Sequence, residues 1–264
     1  MGFWEALLLG IVQGLTEFLP VSSSGHLALF TVLLGGETLP EENLLFTILV
    51  HAATALATII VFRKDIAELI QGFFQKDNPN ARHYIGKITL SMLPSVAVGL
   101  FFEEEITAFF GSNLALVGAM LCITALLLFF TDRTITKERS ISYSFALLIG
   151  LAQAVAILPG ISRSGATIAT ALLIGAKRPE AARFSFLMVI PIILGSMAKT
   201  LLDNDEAVFG TIKALPLFTG FIAALLSGIL ACTWMISIVK KSKLSYFAAY
   251  CLVVGIIASI VAWT

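Results

Sequence analysis

Charge is scarce in this sequence: Asp, Glu, Lys and Arg make up only 13% of its 264 residues, about half the share of a soluble domain. A solvated globular surface is therefore excluded. The 17 basic and 17 acidic residues cancel, and with no basic excess to meet phosphate backbones, nucleic acid is excluded as a partner. Cysteine is equally sparse. Cys122, Cys232 and Cys251 stand singly in apolar stretches, without the paired spacing of a zinc site, and read as packing residues. The amino-terminal "MGFWEALLLG" lacks a basic region ahead of its apolar run and carries Glu5, so it reads as part of the fold and not as a cleaved signal peptide.

What fills the space is hydrocarbon. Hydrophobic residues account for 58% of the chain and the mean hydropathy is +0.95, the composition of an integral membrane protein. Runs free of charge span 43 to 62, 106 to 131, 214 to 239 and 244 to 264, near or above the ~18 to 20 residues that cross the bilayer as helix. Two shorter runs, 88 to 102 and 184 to 198, reach useful length through Lys87 and Lys199, whose stems can snorkel.

Shifting the sequence by 140 residues aligns "GIVQGLTEFLPVSSSG" (10 to 25) with "GLAQAVAILPGISRSG" (150 to 165) without a gap. Gly10/Gly150, Gln13/Gln153, Ser22/Ser162, Ser24/Ser164 and Gly25/Gly165 coincide, and Pro20 and Pro159 break both copies at nearly the same place. Corresponding interrupted segments in two halves of a membrane chain point to a site built from broken helices. If each motif segment returns to its own side, fourteen Lys and Arg face one side and only Lys199 and Lys213 the other, with Arg163 set aside; if each crosses once, the division is ten against six. The positive-inside rule selects the first arrangement. The acidic Glu37, Glu41, Glu42, Glu103, Glu104, Glu105, Asp203, Asp205 and Glu206 then share the side poor in lysine, with both termini outside. The pieces 4 to 18 and 164 to 176 are too short to cross, at ~20 Å. The predicted fold is thus all-α and polytopic: one integral membrane domain, 1–264, with six transmembrane helices plus two re-entrant helical hairpins. The hairpins enter from opposite leaflets in an inverted-topology repeat, one copy about 1–131 and the other about 140–264.

Non-helical backbone survives at membrane depth only where protein or a wet cavity satisfies it. Each serine-rich turn therefore marks a cavity, with Ser22 or Ser23 and Ser162 as caps of restarting helices whose free N–H groups favour an anion, phosphate above all. Arg163 adds a permanently charged fork matched to two phosphate oxygens. An ion pair between Arg163 and Glu17 is the structural reading of the same residues, since an intramembrane charge needs a partner. Gln13 and Glu17 share one face of the first half-helix, as Ser22 and His26 share one face of the second. A carboxylate, an imidazole, hydroxyls and an anion clamp in one pocket make up a hydrolytic inventory. His51, in an apolar helix, and His83, in a polar inner loop, find no such company. The inner segment from Arg63 to Tyr84 reads as an interfacial helix followed by a turn.

The segments "QGLTEFLPVSSSGH" (13 to 26), "LPGISRSGAT" (158 to 167) and "FSFLMVIPIILG" (184 to 195) resemble the bacterial undecaprenyl-diphosphate phosphatase family linked to bacitracin resistance, over essentially the whole chain. The resemblance implies hydrolysis of undecaprenyl diphosphate to undecaprenyl phosphate and inorganic phosphate at the outer face of the bacterial cytoplasmic membrane. Carried over by position, it implies Glu17, Ser23, His26 and Arg163 as catalytic residues and Gln13, Ser22, Ser24, Ser162, Ser164 and Thr167 as substrate-binding residues. Ser23 would be the nucleophile, with His26 as base and Glu17 orienting it, or His26 would activate water directly. Activity favoured by a divalent cation, Mg²⁺ or Ca²⁺, is also implied, with Glu17 as the protein ligand. Many members have glutamate where this chain has Gln13, which weakens a two-carboxylate metal site. A transporter or flippase of undecaprenyl phosphate or another anion is the alternative, because secondary carriers share the inverted architecture. The bilayer is the other expected partner, and a homodimer is open.

Overall fold

A computed structural model of the chain describes residues 1–33, 41–75, 79–102, 105, 114–133, 138–203, 214–241 and 243–262. Part of the charge count rests on Glu37, Lys76, Glu103, Glu104, Lys137, Asp205, Glu206 and Lys213, which lie outside the described residues. Helices dominate: α1 (Phe3–Phe18), α2 (Ser23–Leu33), α3 (Glu41–Val61), α4 (Arg63–Phe74), α5 (Pro79–Phe101), α6 (Leu114–Thr131), α7 (Tyr143–Val155), α8 (Arg163–Leu173), α9 (Arg178–Asp203), α10 (Ala214–Lys241) and α11 (Ser245–Val261). Among the described residues the β structure is a single isolated bridge, Arg139 to Ala176.

Within α5, α6, α9 and α10 lie stretches long and apolar enough to cross a membrane, and the bent pair of α3 and α4 makes a fifth. The apolar α11, at 17 residues, is shorter. Where Val61 passes to Arg63 the axis turns by 75°, so the expected interfacial segment begins as its own helix, α4. Its exposed Ile70, Phe73 and Phe74 suit the interface between hydrocarbon and water.

Aligned segments of the sequence pack on aligned partners. Helix α1 packs on α10 and α7 on α5; the hairpins α1/α2 and α7/α8 each close on themselves; and α6 packs on α11. Without a hydrophobic force between helices in lipid, close approach depends on small residues, and the aligned glycines supply it. A Cβ on Gly10 would lie 2.4 Å from the Gly220 carbonyl oxygen, and one on Gly150 would lie 2.3 Å from that of Ser91. The core between the halves is filled by Phe18, Leu121, Leu128, Ile149, Ile168, Phe184 and Met188, with Phe18 edge-on to Phe186. This apolar shell surrounds the two tips where α1 breaks into α2 and α7 into α8.

Candidate active site

Both tips restart their helices on a serine. Ser22 and Ser162 are the caps: Gly25 N–H donates to Ser22 Oγ at 3.3 Å and Gly165 N–H to Ser162 Oγ at 3.0 Å, satisfying one otherwise orphaned amide at each start. In each, the serine two positions on lies against the cap, Ser24 Oγ at 3.4 Å from Ser22 Oγ and Ser164 Oγ at 3.3 Å from Ser162 Oγ. The tips also touch. Ser164 Oγ donates to the Leu19 carbonyl at 3.1 Å, and Gly25 faces Gly160 as Gly165 faces Pro20. The second tip is held from below by Thr124, whose Oγ1 accepts from Ser162 N–H at 3.0 Å, and by Thr167, 2.5 Å from Ser185 Oγ.

Glu17 is the centre of this convergence. On the last turn of α1 it is buried, and both carboxylate oxygens are engaged. Oε1 meets Arg163 Nη2 across the two tips. Oε2 accepts from Gln13 Nε2 at 2.9 Å, one helical turn below, and from Ser23 Oγ at 2.7 Å. The ion pair anticipated as the structural reading therefore exists, but it is built into a serine–carboxylate contact and a restarting helix end. A buried pair of this kind contributes little net stability. What it supplies is a carboxylate held against a hydroxyl, and a guanidinium held where an anion can compete for it.

His26 has partners other than the expected Glu17. Its Nδ1 is 2.8 Å from the Ser22 carbonyl oxygen, and Nε2 is 2.8 Å from Tyr250 Oη, with the two rings stacked. Both ring nitrogens are thus taken, and Glu17 orients Ser23 instead of His26. Tyr250 and Thr124 escaped the sequence reading because each is one polar group in an apolar helix; the only signal was a hydroxyl at membrane depth. His51 is a sharper miss. Helix α3 runs beside α1 and brings His51 Nε2 to 3.9 Å from Glu17 Oε2, so this histidine does have company.

The donor set is thin for a divalent cation. No group of three His, Cys, Asp or Glu side chains is placed to hold one among the described residues, and the single carboxylate already carries a guanidinium and two hydrogen bonds. Gln13 Oε1, buried and without a partner among the described residues, is one further oxygen, short of the six or more that hard cations collect. On their own these residues do not make up a closed protein cage for a hard cation.

Helices of membrane-spanning length, broken helices whose ends meet, and a serine, carboxylate and arginine at the junction define a class: polytopic α-helical membrane proteins with a charged cluster where two broken helices meet. The particular family follows from comparison, for residues 6–257 match the family described as bacitracin resistance protein BacA, and the chain belongs to it. A protein of Christiangramia forsetii named undecaprenyl-diphosphatase is 54% identical over 263 residues, covering 100% of this chain and 99% of that one. One of the same name from Bacteroides fragilis is 51% identical, covering 99% and 98%. Another from Korarchaeum cryptofilum is 40% identical, covering 96% of each.

Proposed function

We propose that this chain hydrolyses undecaprenyl diphosphate to undecaprenyl phosphate and inorganic phosphate, recycling the lipid carrier of cell-wall synthesis at the outer face of the cytoplasmic membrane. The observation that carries the reading is the three-part contact at Glu17, with Arg163 on one oxygen and Ser23 on the other. The name shared by full-length relatives supports it, and that name denotes hydrolysis, not transport.

Phosphoryl transfer is mostly positioning and charge stabilisation. The terminal phosphate competes with Glu17 for the Arg163 fork and takes the free amides at the starts of α2 and α8, beside Ser22, Ser24, Ser162, Ser164 and Thr167. Ser23 Oγ then attacks the terminal phosphorus. The Oγ–P bond forms, the bridging P–O bond breaks with its electron pair leaving on undecaprenyl phosphate, and the hydroxyl proton passes to Glu17 Oε2. Water attacks the phosphoserine next: its oxygen bonds phosphorus, its proton goes to solvent, and Oγ leaves and recovers its proton from Glu17. Direct attack by water is the second route; Ser23-bound phosphate in quenched reactions separates the two. Glu17 takes the role of first proton acceptor that the resemblance implied for His26, and His26 instead fixes the start of α2 against Tyr250.

On this reading the single domain sits in the membrane as six spans and two re-entrant hairpins, an inverted repeat with both termini outside and the prenyl tail entering from the bilayer between helices. Helix lengths support it: α1 is ~24 Å and α8 ~17 Å long, short of ~30 Å of hydrocarbon. On a cysteine-free background, a membrane-impermeant maleimide added to intact cells is expected to label E5C and spare K64C and K243C. The converse pattern would invert the topology. For the reaction, purified protein in detergent is expected to release phosphate from undecaprenyl diphosphate with no second compartment present. Failure of the wild type to do so would remove the assignment.

A further inference from the structure

The hydrolytic route leaves one group beside Glu17 unused. His51 Nδ1 lies 2.8 Å from the Thr47 carbonyl oxygen, and a carbonyl only accepts, so the ring proton sits on Nδ1. When the ring carries that proton alone, Nε2 presents its lone pair to Glu17 Oε2, at 3.9 Å, and has no hydrogen-bond partner among the described residues. That distance is too long for a hydrogen bond, and a lone pair facing an anionic oxygen makes none. The relation reverses once Oε2 carries a proton, because a carboxylic acid donates and the imidazole lone pair accepts.

We infer that His51 is a positioning residue for the reaction: it accepts the hydrogen bond of protonated Glu17 and so stabilises the state in which Ser23 has lost its proton. The inference rests on the hydrolase reading and deepens it. The balance is simple. The proton leaving Ser23 Oγ as the Oγ–P bond forms stays on Oε2, shared with Nε2, and returns to Oγ when water displaces it. Nothing else enters or leaves. Among the described residues the charged neighbours of the ring are Glu17 and, through it, Arg163, so the same oxygen that serves Ser23 is the one that His51 attends.

Three variants of the full chain test this in detergent with undecaprenyl diphosphate. H51L, similar in bulk but without an acceptor, is expected to lower kcat by ~10²-fold, within the range of general acid–base effects, with KM changed by less than ~3-fold. H51Q carries an amide oxygen that accepts the same bond and is expected to recover to within ~10-fold of the wild type. In an E17Q background, H51L is expected to cost nothing further, since His51 acts through Glu17. A purely packing role would leave H51Q and H51L alike and would add its loss to that of E17Q. H51L as active as the wild type, H51Q as slow as H51L, or full additivity with E17Q would each overturn the inference, with retained thermal unfolding showing that the variants fold. A wild type that releases no phosphate would overturn the hydrolase reading, and this inference with it, whereas an active wild type with an unimpaired H51L overturns the inference alone.

Discussion

The two tips share a frame and differ in what they carry. Aligned serines cap both helices and aligned glycines bring both against neighbouring backbone, yet the carboxylate of the first tip, Glu17, corresponds to Ile157 in the second, and the arginine of the second, Arg163, corresponds to Ser23 in the first. Gln153, the counterpart of Gln13, donates to Ser95 Oγ at 3.1 Å because no carboxylate waits one turn on. The two segments thus share a geometry, while the carboxylate and Ser23 lie on one and the guanidinium on the other. Backbone strain divides in the same way. Ser22 has φ 71°, the left-handed region that an L residue adopts at a cost, whereas the second tip puts its positive φ, 95°, on Gly160. Strain held by a non-glycine residue is commonest at functional sites, and here it falls on the tip that bears Glu17 and Ser23.

The sharpest way to break the comparison is to remove the charge each tip lends the other. R163A is expected to lower kcat/KM for undecaprenyl diphosphate by ~10³-fold or more, since a preorganised cationic clamp is lost, while the variant stays folded by thermal unfolding in detergent. An unimpaired R163A enzyme would end the division of labour proposed here. E17Q keeps the shape but cannot take a proton, and a loss of ~10²-fold or more in kcat is expected from single-turnover assays. Tyr250→Phe removes only the hydroxyl that His26 contacts, and a reduction of ~10-fold or less separates an anchoring His26 from a proton-transferring one; a loss as large as that of E17Q would return His26 to the first step. The smallest effect concerns the backbone. S22G relieves the left-handed conformation by ~1 kcal/mol and forfeits only a few tenths for the cap, so it is expected to unfold at a slightly higher temperature than the wild type, whereas S162G, at φ −72°, is expected to unfold slightly lower. Equal shifts would show that the tips are not conformationally distinct.

Much of this was legible from residue order. Apolar runs marked the long apolar helices, and the 140-residue repeat found both tips with their serines, because each signal is local or periodic along the chain. The contact between Arg163 and Glu17 was weighed as an alternative, since an intramembrane charge needs a counter-charge. The partner of His26 was misjudged, as a side chain on the first turn of a half-helix can face either the tip or the helix packed beside it, and only the placement of α11 next to α2 decides for Tyr250. His51 was set aside for the same reason: nothing along α3 marks the one face that looks at α1.

What the order of residues determined by itself is the medium, the two broken helices and the chemistry available at their ends, all of which follow from hydropathy, proline and serine within windows of a turn or two. Only tertiary structure decided which groups meet. Glu17 and Arg163 stand 146 positions apart, and hydrogen bonds and ion pairs act over a few ångströms, so their encounter depends on the packing of glycine-lined helices that no local pattern specifies.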